Sequence, residues 1–182
     1  MKFMERTMKY PMTDNREIDI DDRPHEPTDN ALVMTHGLPR SGKSTWSRTH
    51  VGPIVCPDSI RLAKTGKRWF GPIEHEVWAT ARTMVRALFL SGHKTVILDS
   101  TTGTRSQRDM FLPSPDVPWR RYLKVVPTTR GTCILRALSG PYPELVEVIN
   151  YMADNWEPVQ PEEEIITQWG GNLAKPLDFM KP

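Results

Sequence analysis

Cysteine is nearly missing: Cys56 and Cys133 are the only two in 182 residues. They offer neither a disulfide framework nor the paired spacing of a zinc site, so a reducing, cytoplasmic compartment is expected. No run approaches the roughly 18 consecutive apolar residues of a membrane span. The opening Met1-Lys2-Phe3-Met4-Glu5-Arg6 has no apolar core of a signal peptide, and no membrane partner is expected. With 11 glycines the chain cannot be collagen-like. His36, His75 and His93 lack metal-ligand spacing and read as structural. Proline is the plentiful residue, at 17, which implies rigid turns and loose ends. The length suits one domain with a sizeable core.

The net charge of +2 hides a segregation. Residues 1–30 carry five Lys/Arg against eight Asp/Glu, residues 31–136 carry 17 against six, and residues 137–182 carry two against eight. The basic central block is a suitable surface for a polyanion or a nucleotide, although a solvated basic face with acidic tails has the same pattern.

Residues 1–30, acidic and without periodicity, read as a loose extension. Short apolar runs at 31–36, 53–56, 95–99 and 121–126 read as strands. Helices are expected over 43–50, 58–64, 74–90, 105–112, 131–138 and 144–155. The longest is the clearest, with Val77, Ala81, Met84, Val85, Leu88 and Phe89 on one face at 3.6-residue spacing. Continuously apolar strands alternating with helices imply an α/β fold, a mostly parallel sheet of four or five strands covered on both faces.

Between the first strand and the next helix lies Gly37-Leu38-Pro39-Arg40-Ser41-Gly42-Lys43-Ser44-Thr45. This is the phosphate-loop pattern G-x-x-x-x-G-K-[ST]. Its glycines let backbone N–H groups turn toward phosphate oxygens. The helix it opens adds a dipole that favours the anion. Lys43 should bridge the β- and γ-phosphates of ATP, and Ser44 should hold Mg²⁺ through its hydroxyl. The small size disfavours a motor, and the N-K-x-D signature of guanine-nucleotide switches is absent. A small kinase, residues 31–182 with an acidic tail, is the leading class.

A phosphoryl acceptor needs a carboxylate beside its hydroxyl. Asp58 follows the second strand, whose end should lie near the phosphate loop, with Arg61 three residues on, on the same helical face. Asp58 could equally cap the helix that starts there. Asp99 ends the run Thr95-Val96-Ile97-Leu98 as a Walker B acid does, placing it as a second Mg²⁺ residue. Transition-state charge could come from Arg105, Arg108, Arg130 or Arg136, the last on a helix where a lid would sit. Lys64, Lys67 and Arg68 beside Trp69 and Phe70 suit a nucleic-acid backbone with stacked bases, or aromatics packed on the core.

Taken together, the phosphate loop, Asp58-Ser59-Ile60-Arg61 and Val96-Ile97-Leu98-Asp99-Ser100-Thr101-Thr102 resemble the kinase domain of phage and bacterial polynucleotide 5′-kinases, which has a D-x-x-R element and a strand ending in D-[AST]-T-N. Residues 143–152 and the tail elements Glu157-Pro158 and Pro161-Glu162-Glu163 resemble the closing helix and tail of small P-loop kinases. The resemblance implies transfer of the γ-phosphate of ATP to a nucleic-acid hydroxyl, DNA before RNA. It makes Asp58 the general base, Arg61 the grip on the acceptor's neighbouring phosphate, and Arg136 the lid arginine. Two positions depart from it. Thr102 stands where the family often has Asn, and Gly140 takes the second place of the lid pattern R-x-x-x-R. Related phage kinases that phosphorylate 5-hydroxymethyl groups on DNA bases use the same ATP site, and zeta-toxin-like and small-metabolite kinases share the scaffold.

Overall fold

The computed structural model describes residues 29–68, 71–160 and 163. Residues 1–28 of the loose extension expected over 1–30, and Trp69, Phe70, Pro161 and Glu162, lie outside the described residues. The elements run β1 (Ala31–His36), α1 (Lys43–Arg48), β2 (Ile54–Val55), α2 (Pro57–Thr65), a 3₁₀ turn (Gly71–Ile73), α3 (Glu74–Leu90), β3 (Thr95–Leu98), α4 (Arg105–Asp109), β4 (Arg120–Val125), α5 (Arg130–Leu138) and α6 (Leu145–Asp154).

Every pairing in the sheet is parallel, in the order β2-β3-β1-β4. All six residues of β1 are buried, as a strand covered on both faces requires. Its register sets Ala31 opposite Thr95 on one side and Arg120 on the other. This order is what builds the site. The loops leaving β1 and β3 emerge side by side, β2 lies next to β3, and β4 flanks β1 on the far side. Ligands of open α/β sheets bind at such carboxyl ends.

One face of the sheet packs Leu32, Met34, Val55, Val96, Leu98 and Leu123 under Ala81, Val85 and Phe89 of α3, with Phe111 and Trp119. Trp119 stacks on Phe89 at 5.4 Å and donates its indole N–H to the Phe111 carbonyl at 3.0 Å, so its polar edge is satisfied where it is buried. The other face packs Ala31, Val33 and Tyr122 against Trp46 of α1. A third cluster joins Cys133 and Ala137 of α5 to Ile149 of α6 and reaches Leu38 in the phosphate loop. The buried stripe of α3 is narrower than expected. Val77, Ala81, Val85 and Phe89 are buried, but Met84 is 40% exposed. Trp78, on the opposite flank of the stripe, packs partly buried against the core.

Candidate active site

The loop Gly37–Thr45 crosses from the buried end of β1 into α1. Gly37 has no room for a side chain: a Cβ would lie 2.8 Å from Ser41 Oγ and 2.9 Å from the Val126 carbonyl. Gly42 has φ 110°, a left-handed angle that favours glycine. It serves as N-cap of α1 without any side-chain cap, so the first N–H groups of that helix face the loop rather than a capping oxygen. Lys43 is buried and folds back to donate to the Leu38 carbonyl at 2.8 Å. Burial lowers its pKa to about 8, against the opposing negative charges of Asp99 and Asp58. Ser41 Oγ is buried without a hydrogen-bond partner among the described residues. A buried hydroxyl left open is costly, and a phosphate oxygen is the partner the surrounding N–H groups would bring.

Asp99 directly follows β3, and its N–H donates to the Val55 carbonyl at 2.9 Å. It stands beside the loop that holds Ser44 because β3 pairs with β1. Among the described residues no group of three or more His, Cys, Asp or Glu could hold a metal ion. A serine hydroxyl and one carboxylate fit Mg²⁺, which keeps several waters and takes its remaining oxygens from substrate phosphates.

Asp58 is the second helical residue of α2, after Pro57, and the N-cap is Cys56 with no side-chain cap. The helix therefore does not consume the carboxylate. Its Oδ1 accepts from Arg61 Nη1 at 2.7 Å, and its side chain is 63% exposed. Arg61 is buried and heavily engaged. Its Nε and Nη2 form a fork on Glu74 at 2.5 and 2.8 Å, and Nη1 also reaches the Arg68 carbonyl at 2.9 Å. Gripping an acceptor phosphate would require Arg61 to exchange one of these partners. Glu74, in the first turn of α3, was not singled out by sequence. Only the packing of α3 on α2 brings it within reach of a residue 13 positions earlier.

The four arginines considered for transition-state charge divide by location. Arg108 is fully buried, paired with Glu163 at 2.7 Å, and bonded to the carbonyls of Thr102 and Pro158 at 3.2 and 3.3 Å. It anchors the tail beneath the site. Arg105 pairs with Asp109 at 2.8 Å, and Arg130 pairs with Asp154 at 2.7 Å across α5 and α6. Only Arg136 touches the phosphate loop, donating to the carbonyls of Arg40 at 3.2 Å and Ser41 at 3.1 Å. In the basic segment, Lys64 pairs with Glu76 at 3.3 Å. Arg68 lies 5.3 Å from the Tyr142 ring, joining the segment after α2 to the one after α5.

Beneath the loop, the expectation that His36 is structural agrees with its contacts. It is buried, bonded through Nδ1 to the Thr102 carbonyl at 2.9 Å, and packed against Trp156 with the ring centroids 4.5 Å apart and the planes tilted by 49°. Thr102 itself has φ 42°, a strained angle for a β-branched residue. It is held there by its hydroxyl, which donates to the Thr35 carbonyl at 2.7 Å. An Asn, common at this place in the resembling family, adopts that angle more easily. Burial drives the His36 pKa down to about 4, and the nearby Arg108 charge adds to the effect against the Thr102 bond. The unfolded ring titrates near 6.5, so the unfolded chain binds more protons between pH 4 and 6.5 and stability falls as pH drops through that window. The loss attributable to His36 is on the order of 3 kcal/mol. His36→Asn, which keeps a donor at the Nδ1 position, should flatten the acid limb of a chemical-denaturation profile. An unchanged limb would show that the ring does not titrate on unfolding.

Known proteins show the same fold. The family model for the AAA domain matches residues 32–133. A chain of the Pnkp1/Rnl/Hen1 complex superposes with a TM-score of 0.52 at 25% identity, covering 63% of this chain and 41% of that one. This chain therefore spans less than half of that relative's length. A sugar kinase from Janibacter sp. HTCC2649 superposes with a TM-score of 0.54 at 17% identity, covering 77% and 84% of the two chains. A gluconokinase from Sinorhizobium meliloti 1021 gives 0.50 at 13% identity, covering 77% and 82%. No curated protein matches. Among the described residues no helix is long and apolar enough to cross a membrane.

Proposed function

The chain belongs to the AAA domain family, and from that premise we propose that it is an ATP-dependent kinase whose acceptor is a hydroxyl of nucleic acid, a polynucleotide 5′-hydroxyl in the first place and DNA before RNA. The observation that carries this reading is the placement of two carboxylates at adjacent strand ends: Asp99 directly follows β3 and Asp58 opens α2 after β2, in a sheet where β2, β3 and β1 are neighbours and the loop after β1 leads to the buried Lys43. One acid suffices for the metal. The other stands at the start of α2, largely exposed and not consumed by capping, where an incoming hydroxyl could meet it.

The chain's residues would then divide the work as follows. The N–H groups of residues 37–45 other than Pro39, the Ser41 hydroxyl and Lys43 hold the β- and γ-phosphates of ATP. Ser44 and Asp99 hold Mg²⁺, which neutralises charge between those phosphates. Asp58 takes the proton of the acceptor hydroxyl as its oxygen bonds to the γ-phosphorus. The bond from that phosphorus to the bridging oxygen breaks, and ADP leaves with the electron pair. Arg61, fixed by Glu74, holds Asp58 in place and can turn to an acceptor phosphate if it releases a partner.

The 25% identity to a chain of a complex that contains the polynucleotide kinase Pnkp1 supports a nucleic-acid acceptor, as does the basic block over 31–136. The sugar-kinase likenesses speak for the fold alone. The second reading, phosphorylation of 5-hydroxymethyluracil within DNA, needs the same Lys43, Ser44 and Asp58 and differs in the acceptor it admits. The test is where the phosphate lands. With γ-labelled ATP, 5′-hydroxyl oligonucleotides should become end-labelled. Label inside hydroxymethyluracil duplex would transfer the assignment to the base kinase. Label on neither, with ATP consumed only by a small hydroxyl compound, would refute a nucleic-acid acceptor.

A further inference from the structure

Arg40 and Arg136 lean on each other at the outer wall of the phosphate loop. Arg40 Nη2 donates to the Arg136 carbonyl at 3.0 Å, and Arg136 Nη1 donates back to the carbonyls of Arg40 and Ser41 at 3.2 and 3.1 Å. Neither guanidinium has a carboxylate partner among the described residues, whereas Arg61, Arg86, Arg105, Arg108, Arg121 and Arg130 are all ion-paired. Among the described residues no other hydrogen bond engages either guanidinium, so most of their N–H donors are available to an anion.

Two backbone features show that the arrangement is built around the Arg40 side chain. Arg40 has φ 66°, a left-handed angle at which glycine would be free of strain. Gly140 lies directly against it: a Cβ there would stand 2.6 Å from Arg40 Nη2 and 3.0 Å from the Arg136 carbonyl. A glycine at 140 leaves the space that the Arg40 guanidinium fills. The second place of the lid pattern, position 140, is thus a glycine, and the phosphate loop supplies an arginine to that space instead.

We infer that the Arg40 side chain is a nucleotide-gripping group, forming with Arg136 a two-arginine cap over the phosphate chain of the donor. The inference rests on the kinase reading and adds a side-chain role to a residue otherwise credited only with loop backbone. The donor is the relevant anion because α5 follows β4, while Asp58 follows β2, and β3 and β1 lie between those strands. Phosphate oxygens would offer both guanidinium groups charged acceptors in place of neutral carbonyls.

Titration of the full chain with ATP and Mg²⁺, alongside thermal unfolding, tests this. Arg40→Gly should raise the Kd for ATP by about 10- to 100-fold while the melting temperature stays level or rises, because strain is relieved. Gly140→Ala, which displaces the guanidinium but keeps its charge, should weaken ATP binding as well, and Arg40→Lys should restore only part of the affinity. Wild-type affinity in Arg40→Gly would overturn the inference. So would a loss of affinity that merely follows a fall in melting temperature, the mark of a structural latch. Wild-type protein that binds no nucleotide would instead sink the kinase reading beneath it.

Discussion

Replacing Asp58 by Asn should lower the rate of phosphoryl transfer by about 10²- to 10⁴-fold, the usual contribution of a positioned general base, while ATP still binds. The substitution is nearly isosteric. Its side-chain oxygen can still accept from Arg61 Nη1, which now lies 2.7 Å from Asp58 Oδ1, so the Arg61–Glu74 fork has no cause to move. What is lost is the negative charge and the capacity to take a proton. Single-turnover transfer with saturating ATP, paired with a direct binding titration, separates the two effects. The comparison belongs near pH 7, below the pKa of about 8 at Lys43, so that the lysine keeps its proton. Turnover retained within a few-fold would remove Asp58 as base. Loss of ATP binding in step with transfer would show that its charge serves Lys43 rather than the acceptor.

Arg108→Leu should destabilise the protein by about 3–5 kcal/mol, the cost of leaving one member of a buried pair without the other. For a chain of this size that corresponds to a melting temperature lower by about 10 °C. Arg108 has no exposed surface, Glu163 has 5%, and their 2.7 Å contact is the ionic tie between α4 and the tail. The same residue meets the Thr102 carbonyl at 3.2 Å, so its loss should also loosen the segment below His36 and the phosphate loop. The double variant Arg108→Leu/Glu163→Leu should recover part of the loss, since removing both charges avoids the stranded one. For Glu163, burial alone would raise the pKa, but its hydrogen bond to Arg108 and the attraction between them more than offset this and leave it lowered. A depressed carboxylate stabilises above its unfolded pKa and loses that contribution as pH falls through the folded value. Wild type should therefore lose more stability on acidification than Glu163→Gln. Equal melting temperatures for wild type and Arg108→Leu would show that the tail is held by its backbone contacts alone.

The phosphate loop was readable because its chemistry is local. Gly37, Gly42, Lys43 and Ser44 lie within eight consecutive residues, and an apolar strand and a helix on either side decide how they fold. The strands were readable for the same reason, since β1 buries every residue and its first four, Ala31 to Met34, form an apolar run. Boundaries drifted where local signals were weak: α1 ends at Arg48, two residues before the expected stop, and α4 ends at Asp109 rather than continuing to Leu112. Met84 fits the apolar stripe of α3 by spacing but is 40% exposed, at the edge of a stripe whose buried residues are Val77, Ala81, Val85 and Phe89.

By itself the sequence determined the class of protein: a parallel α/β domain with a triphosphate loop, an acid after the second strand and another after the third. Those features depend on backbone periodicity and on residues close together in the chain, and local physics suffices to specify them. Only the tertiary structure decided what each charged side chain does. Arg108 looked like a candidate for the reaction and is a buried anchor, because Glu163 arrives from 55 positions later. Arg61 is claimed by Glu74, and Arg40 by the space at Gly140. Ion pairing and burial are set by which distant segments the sheet order brings together, and a linear spacing rule carries no record of that.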